Sequence, residues 1–283
     1  MKPKSKVLII AGSDSSGGAG IQADIKTVTA LGSYAMTAIT AVTSQNTTGV
    51  ISIIPISPKE ISKQIEFTSK DIKPDAIKIG MLGNELIVQL VVRLLRRYRI
   101  KKIVVDPVIY SSSGKSLLSA SGVQILKKEL LPVTFLLTPN LREAEILSGI
   151  KIKKASDRIR AARVLLKMGA KNILIKGGHL KGEPQDFFFD GKRSLCLNAD
   201  RMAGVDVHGT GCTLASAITA GLASSQHASA PLGAMRATAH LFNPGTETVG
   251  EGSGVSLTEV GRIVPTGAAA FESDSTTGCC GIA

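Results

Sequence analysis

The sequence has few aromatic residues and no long apolar run. It contains no tryptophan, three tyrosines and seven phenylalanines, so it lacks the row of aromatic side chains on which the bases of single-stranded nucleic acid stack. No uncharged stretch approaches the roughly 18 residues that a membrane span needs. The apolar run at residues 7–11 is too short for the core of a secretory signal. We therefore expect a cytoplasmic protein that binds neither nucleic acid nor membrane.

Cysteine is also scarce, with four residues in 283. Their spacing contains no paired C-x-x-C motif, which argues against a disulfide framework and a zinc site. Without a secretory signal we expect reduced thiols. The formal charge is +12, and because the basic residues are scattered over predicted helix faces, it indicates a solvated surface that also attracts anionic substrates such as ATP. The cysteines are Cys196, Cys212, Cys279 and Cys280.

Short β-branched runs alternate along the chain with amphipathic stretches of helix length. This alternation predicts βαβ units and an α/β fold whose mostly parallel sheet is covered by helices on both faces. In such sheets ligands bind beyond the carboxyl ends of the strands, so the loops after the predicted strands are the candidate sites. The predicted strands are 7–11, 38–42, 76–79, 103–105, 135–137 and 173–175, and the predicted helices are 21–31, 85–97, 120–130, 141–148 and 157–168.

The composition of the chain changes near residue 226. The last lysine is Lys192, and residues 226–283 contain nine glycines, two basic and five acidic residues. We predict a first domain over residues 1–225 and an atypical, glycine-rich C-terminal segment over residues 226–283 that is partly flexible. Within that segment, residues 234–242 have the pattern of a helix.

Two phosphate-binding motifs are approximated but not formed. Residues 18–23 match the dinucleotide pattern G-x-G-x-x-A, yet residues 13–17 separate them from the preceding strand and no acidic residue follows at the required distance. Residues 113–116 resemble the end of a P-loop, but Ile109 stands where its first glycine is needed. Because each motif depends on glycines at fixed positions after a strand, the sequence predicts neither site.

A loop of small residues at 208–212 leads into a predicted apolar helix. Its glycines let backbone N–H groups converge at the positive end of the helix, which builds an anion hole for a phosphoryl group in transfer. We expect Gly209, Thr210, Gly211 and Cys212 to be catalytic, although an ordinary glycine-rich helix start has the same pattern. The helix terminus is expected to acidify the Cys212 thiol toward neutrality, so that it accepts a proton from a substrate hydroxyl or orients it.

Polar side chains also follow three other predicted strands. Asn140 and Glu143 have the spacing of a capping box, and a second interpretation places them on Mg²⁺-linked waters and phosphate oxygens. Lys176 is either a solvated lysine or one that neutralises a triphosphate. Asp106 is a candidate for contacts with Mg²⁺ or phosphate-bound water. Because these loops leave the same edge of the predicted sheet, we expect one phosphoryl-transfer site there.

Six segments, which include Asp106, Asn140 and residues 209–212, resemble one family, the hydroxymethylpyrimidine/phosphomethylpyrimidine kinases of thiamine biosynthesis. They follow in the family's order from about residue 5 to about residue 223. Other ribokinase-like enzymes carry an aspartate where Cys212 stands. A cysteine at this position is similar to the pyrimidine and pyridoxal kinases of that superfamily. The segments are residues 11–24 (AGSDSSGGAGIQAD), 41–47 (AVTSQNT), 78–82 (KIGML), 106–108 (DPV), 138–140 (TPN) and 209–214 (GTGCTL).

The resemblance implies a ribokinase-like three-layer α/β/α sandwich that uses ATP and Mg²⁺. Its small-molecule substrate would be 4-amino-5-hydroxymethyl-2-methylpyrimidine, phosphorylated first at the hydroxymethyl group and then on the monophosphate to give the diphosphate. Residues 109–115 match a mobile lid that excludes water. We also expect a homodimer.

The same resemblance implies roles for individual residues. Gln45 would hydrogen-bond the aminopyrimidine, whose donor and acceptor both suit an amide side chain. The other implied contacts are a ring pocket of Gly12, Ala19, Met81 and Val108; Mg-ATP contacts from Asn140, Glu143, Lys176 and Thr210; metal contacts from Asp106 and Glu143; and catalysis by Lys176 with Gly209, Thr210, Gly211 and Cys212.

Two other functions stay open. A pyridoxal kinase on the same scaffold is the nearest alternative, since an aldehyde reacts reversibly with a cysteine thiolate. A pyrimidine-binding pseudoenzyme is the other. Residues 206–208 read Asp-Val-His where the family usually has Asn-Thr-His, and the chain after residue 225 lacks the alanine-rich basic helix that normally helps to form the adenine pocket.

Overall fold

The computed structural model describes residues 3–177, 185–198 and 209–225. Within these residues strands and helices alternate as the sequence pattern predicts. The strands are β1 (Lys6–Asp14), β2 (Tyr34–Gln45), β3 (Val50–Pro55), β4 (Ala76–Ile79), β5 (Ile103–Val105), β6 (Leu136–Leu137), β7 (Ile173–Ile175), β8 (Gln185–Phe189) and β9 (Ser194–Asn198). The helices are α1 (Gly20–Ala30), α2 (Pro58–Asp71), α3 (Glu85–Tyr98), α4 (Ala120–Ile125), α5 (Leu141–Ser148), α6 (Ala155–Lys167) and α7 (Thr210–Ser224). The helix predicted at 234–242 and the predicted C-terminal segment lie outside the described residues.

The strands form one mixed sheet in the order β3-β2-β1-β4-β5-β6-β7-β8-β9. Neighbouring strands from β2 to β7 are parallel, while β3, β8 and β9 pair antiparallel at the two sides. This confirms the predicted α/β fold with a mostly parallel sheet. The chain runs outward from β1 to β3 and then returns to β4, so the carboxyl ends of β1, β2 and β4 to β7 lie at one edge.

Helices cover both faces of the sheet because the central strands are apolar on both sides. On β1, Val7 and Ile9 pack against α1 and α7, while Leu8 and Ile10 pack into the core under α2 and α3. All four side chains are fully buried, and burial of each contributes about 1.5–3 kcal/mol. Helices α5 and α6 join the second layer. The predicted three-layer sandwich is confirmed, and none of the described helices combines the length and apolarity that crossing a bilayer requires.

The sequence pattern missed helix α2, although a start signal is present. Ser57 Oγ accepts a hydrogen bond from the Glu60 N–H at 3.3 Å, and Pro58 takes the first helical position. A serine cap followed by proline and, three residues on, by glutamate is a typical helix start. The helix is mostly polar, and only Ile61 and Ile65 among its apolar residues are buried, so few apolar residues mark it in the sequence.

Two other differences come from local geometry. The helix predicted at 120–130 is α-helical only to Ile125 and continues as a π-helical turn, Leu126–Leu130. The pattern also missed the β8–β9 hairpin, whose turn depends on one side chain. Asp190 Oδ1 accepts hydrogen bonds from the N–H groups of Lys192 at 2.9 Å and Arg193 at 2.6 Å.

Candidate active site

The residues predicted at separate strand ends meet at one edge of the sheet. Asp106 follows β5, and Lys176 follows β7 and is bridged to Asn140, which follows β6. Met81 comes after β4, and Gln45 ends β2. Parallel pairing of these strands explains why Asp106 and Lys176, which are 70 positions apart in sequence, lie in contact.

Asp106 and Lys176 form an ion pair at this edge. Lys176 Nζ donates to Asp106 Oδ1 at 2.6 Å, and the two side chains are only 15% and 4% exposed, respectively. The first turn of α7 passes over the pair, since a Cβ on Gly211 would lie 3.0 Å from Lys176 Nζ and 3.7 Å from Asp106 Oδ2. A larger residue at 211 would therefore crowd the lysine, and its ammonium group would have to shift within the ion pair.

Asn140 and Glu143 form the capping box of α5, which confirms the local interpretation of their spacing. The Asn140 N–H donates to Glu143 Oε2 and the Glu143 N–H to Asn140 Oδ1, each at 2.9 Å. Glu143 also faces the site, because Oε1 accepts from the Ile109 N–H at 3.4 Å. Burial raises the pKa of Glu143 to about 7, with Lys176 lowering it and Asp106 raising it again. The three charged groups are therefore neighbours.

Helix α7 begins at Thr210 with Gly209 as its N-cap. Gly209 has a φ of +87°, a left-handed conformation that favours glycine. A Cβ there would collide with the Gly18 carbonyl oxygen and lie 3.1 Å from Ala19 Cα. The start of α7 therefore touches the loop between β1 and α1 on one side and the ion pair on the other. His208, which precedes it, lies outside the described residues.

Cys212 is half-buried and lies between the N-termini of two helices, α1 and α7. The Gly20 N–H donates a hydrogen bond to its sulfur. Burial nevertheless raises the pKa of Cys212 to about 11, and the Lys78 ammonium lowers it only in part. The expected acidification toward neutrality is therefore wrong, because desolvation of the thiolate outweighs the helix termini. At neutral pH Cys212 is therefore a thiol. Of its two expected roles, accepting a proton from the substrate hydroxyl and orienting that hydroxyl, only the second is compatible with a thiol.

Three of the predicted ring-pocket residues share one wall. A Cβ on Gly12 would lie 2.9 Å from Met81 Sδ, so the glycine makes room for the methionine. Met81 packs with Val108 in a small apolar cluster that also contains Ala41 and Leu117. Ala19, the fourth predicted pocket residue, is the N-cap of α1 and lies beside the start of α7. The predicted ring pocket and the predicted anion hole are therefore adjacent.

Gln45 is held at the same edge by contacts of its backbone. The Gln45 N–H donates to Ser15 Oγ at 2.8 Å, and the Ser15 hydroxyl donates to the Gln45 carbonyl at 2.7 Å. The Thr43 hydroxyl donates to Gln45 Oε1 at 3.3 Å. These bonds tie the end of β2 to the loop after β1, which carries the pocket.

The predicted lid, residues 109–115, folds as a short hairpin. The Ser111 N–H donates to the Lys115 carbonyl at 2.9 Å. Lys115 Nζ donates to the carbonyls of Val50 and Ile51 in β3, at 3.0 and 2.9 Å. The hairpin is therefore attached to the edge strand, and its movement during turnover stays a prediction.

The sequence pattern missed a buried polar group beneath α7. Lys78 in β4, Asp24 in α1 and Ser216 in α7 are fully buried and joined by hydrogen bonds. A signal was present, because residues 76–79 (AIKI) place a lysine inside an apolar strand. A buried charge of this kind is unfavourable unless a partner neutralises it.

The fold is that of a ribokinase-like small-molecule kinase. A family model described as phosphomethylpyrimidine kinase matches residues 14–241. The chain belongs to this family, as the six segments suggested. Because the match continues beyond residue 225, the domain boundary placed there stays a prediction.

Individual relatives agree with the family match. The hydroxymethylpyrimidine/phosphomethylpyrimidine kinase of Bacillus subtilis (strain 168) is 43% identical over 217 residues, which are 76% of this chain and 80% of that protein. The crystal structure of phosphomethylpyrimidine kinase from Clostridium difficile 630 is 42% identical, with a TM-score of 0.74 over 84% of this chain and 97% of that chain. The pyridoxal kinase of Staphylococcus aureus, solved with AMP-PCP and pyridoxal, is 36% identical, with a TM-score of 0.76 over 84% and 86%.

The close contact at Gly209 predicts a large effect of a single methyl group. We expect Gly209→Ala to lower kcat by roughly 100-fold or more, because displacement of the α7 start misplaces the reacting groups. Gly149→Ala is the control, since Gly149 has a φ of +74° but nothing within 4 Å of a Cβ. That variant isolates the left-handed strain, about 1–2 kcal/mol of stability, and should keep kcat within about twofold. Steady-state ADP formation measures both, and equal losses would contradict the account.

Burial of Glu143 predicts a pH dependence of stability. Its pKa rises from 4.5 to about 7 on folding, so the folded protein binds more protons between these values. The stability contribution of protonated Glu143 is present below the lower value and is lost as pH rises through the upper one. Glu143→Gln should therefore gain, relative to wild type, on the order of 2 kcal/mol in free energy of unfolding across this window. Urea unfolding of both proteins across this pH range, with EDTA and without nucleotide, measures this gain. A difference in free energy of unfolding that does not change with pH would disprove the prediction.

Proposed function

We propose that this kinase transfers the γ-phosphoryl group of ATP to the hydroxymethyl group of 4-amino-5-hydroxymethyl-2-methylpyrimidine, and then phosphorylates the monophosphate to the diphosphate for thiamine biosynthesis. One observation carries the proposal. The first turn of α7 contacts the pocket loop at Gly209 and the Lys176–Asp106 pair at Gly211. An acceptor in the pocket and a phosphate beside the lysine would meet at the same helix N-terminus.

On the donor side, Lys176 and the backbone N–H groups of residues 209–211 bind phosphate oxygens. Burial lowers the pKa of Lys176, but Asp106 and Glu143 raise it above its usual value, so the ammonium stays charged. Thr210 and Asn140, at the starts of α7 and α5, contact the nucleotide. Because phosphoryl transfer proceeds through a loose transition state, these groups act by positioning the donor and stabilising its charge.

On the acceptor side, Cys212 orients the hydroxymethyl group. With a pKa of about 11, the thiol is protonated at neutral pH and forms a hydrogen bond with the substrate hydroxyl. A loose transition state needs little bond formation from the attacking oxygen before the donor bond breaks, so a strong base is not required. Gly12, Ala19 and Met81 support the ring, and Gln45 recognises its amino group and ring nitrogen.

Asp106 and Glu143 supply the protein carboxylates for Mg²⁺. This ion usually takes one or two carboxylates and completes its shell with waters and substrate phosphates. The pair is therefore sufficient, even though the described part of the chain has no cluster of three or more His, Cys, Asp and Glu side chains. After burial, the nearby Asp106 charge also raises the pKa of Glu143, and a divalent cation would relieve that repulsion. When bound, Mg²⁺ neutralises phosphate charge.

Pyridoxal phosphorylation is the second candidate activity. It is supported by the similarity to the Staphylococcus aureus pyridoxal kinase over 84% of this chain. The amide of Gln45 favours the pyrimidine, because it matches a donor and an acceptor that lie next to each other. A pseudoenzyme that binds the pyrimidine without turnover is the third possibility.

Replacement of Gln45 tests the substrate assignment. Gln45→Ala should raise KM for the aminopyrimidine by roughly 10- to 100-fold, since it removes hydrogen bonds worth about 1–3 kcal/mol. KM for ATP should stay within about twofold. Gln89→Ala, on the exposed face of α3, is the matched control. Full pyrimidine affinity in Gln45→Ala would refute the assignment.

We also propose that the chain forms a homodimer, while a cytoplasmic location stays a prediction. Apolar side chains on the β2–β3 side of the sheet support association: Ile51 is 84%, Ile54 62% and Val42 45% exposed. Val42 and Ile54 lie opposite each other in the two strands. Exposed apolar residues on an edge strand are typical of association surfaces. A monomer mass by light scattering of the full chain would contradict this proposal.

A further inference from the structure

A second ion pair lies beneath the site and has no part in the roles assigned above. Lys78 Nζ is 2.7 Å from Asp24 Oδ2, and neither side chain has any exposed surface. Asp24 Oδ1 accepts a hydrogen bond from the Ser216 hydroxyl at 2.6 Å. These residues belong to β4, α1 and α7, so one buried polar chain joins the sheet to both helices whose N-termini build the site.

Stability alone does not explain this pair. Burial lowers the pKa of Lys78, but Asp24 raises it above its usual value, so the ammonium is charged. Burial raises the pKa of Asp24, and Lys78 opposes that effect. Apolar side chains of similar size often stabilise a fold as well as a buried ion pair does. A fully buried ion pair directly beneath the candidate site therefore suggests a functional role.

The buried pair is directed at the reacting end of α7. Ser216 comes four residues after Cys212, so both lie on the same face of the helix, one turn apart. A glycine at position 80 leaves room for the ammonium, since a Cβ there would lie 2.9 Å from Lys78 Nζ. The charged and titratable groups that act on Lys78 are Asp24, Cys212 and Asp106.

We propose that Lys78 is a positioning residue of the kinase reaction. Through Asp24 and Ser216 it fixes the first turn of α7, and its charge lies behind that turn, where negative charge develops during phosphoryl transfer. This inference rests on the proposed kinase function. It predicts an effect on turnover and not on pyrimidine binding, because other residues form the ring pocket.

Three variants of the full chain test the proposal. Asp24→Asn combined with Lys78→Met removes both charges without leaving a lone buried charge, and asparagine still accepts a bond from Ser216. Ser216→Ala breaks the link to α7 and keeps the ion pair. Thr219→Val is the matched control, because Thr219 is as buried as Ser216 and its hydroxyl bonds within the helix, to the Ala215 carbonyl at 2.7 Å.

We expect kcat to fall by roughly 10- to 100-fold in the double variant and about fivefold in Ser216→Ala, with KM for the pyrimidine within about threefold of wild type. Thr219→Val should behave as wild type. Alkylation of Cys212 by iodoacetamide at pH ~9, followed by peptide mass mapping, should slow modestly in the double variant. Loss of the Lys78 ammonium, which lowers the pKa of Cys212, outweighs loss of the Asp24 carboxylate, which raises it, so the thiolate fraction falls. A purely structural role of Lys78 would not lower kcat, leave KM nearly unchanged and slow the alkylation of Cys212 at the same time.

Unchanged kcat in a folded double variant would overturn the proposal, and so would a rise in KM that matches the fall in kcat. If circular dichroism shows that the double variant does not fold, Ser216→Ala decides, and wild-type kcat in that variant overturns the proposal. An inactive wild-type protein would refute the kinase function and this inference together. Active wild type with unaffected variants refutes the inference alone.

Discussion

The site depends on the close approach of two helix N-termini. A Cβ on Gly209 would collide with the Gly18 carbonyl oxygen, and a Cβ on Gly20, whose φ is +54°, would collide with the Gly12 carbonyl oxygen. These glycines let α7 start against the loop between β1 and α1 and let α1 start against the end of β1, with Cys212 between their positive ends. Their backbone geometry therefore sets the distance between the predicted pyrimidine pocket and the predicted phosphate site.

Paired buried charges surround that point. The Lys176–Asp106 and Lys78–Asp24 pairs are each within 2.7 Å, and desolvation raises the pKa of Glu143 to about 7. In a low-dielectric site fixed charges act strongly on a transferring phosphoryl group and need little reorganisation during the reaction. The same desolvation keeps the Cys212 thiol protonated, so catalysis by positioning and charge is consistent with the whole arrangement.

The central fold was predictable because buried parallel strands are short apolar runs. The predicted strands 76–79, 103–105 and 173–175 coincide with β4, β5 and β7. The outer elements β3 and α2 are largely exposed, whereas β8 contains the buried run Phe187–Phe189, which the same pattern could have identified. Strand-end residues of the site were found because parallel strands share an edge. The Lys78–Asp24–Ser216 chain and the pKa of Cys212 depend on packing between distant segments, which no local pattern contains.

We propose that the pyrimidine and ATP meet at the start of α7 for two successive phosphoryl transfers. Phosphorus NMR of the full chain with Mg-ATP and 4-amino-5-hydroxymethyl-2-methylpyrimidine tests these transfers most directly. The monophosphate should appear first and the diphosphate later, with one ADP formed for each phosphoryl group transferred. Turnover of pyridoxal alone, or tight pyrimidine binding without ADP formation, would contradict this proposal.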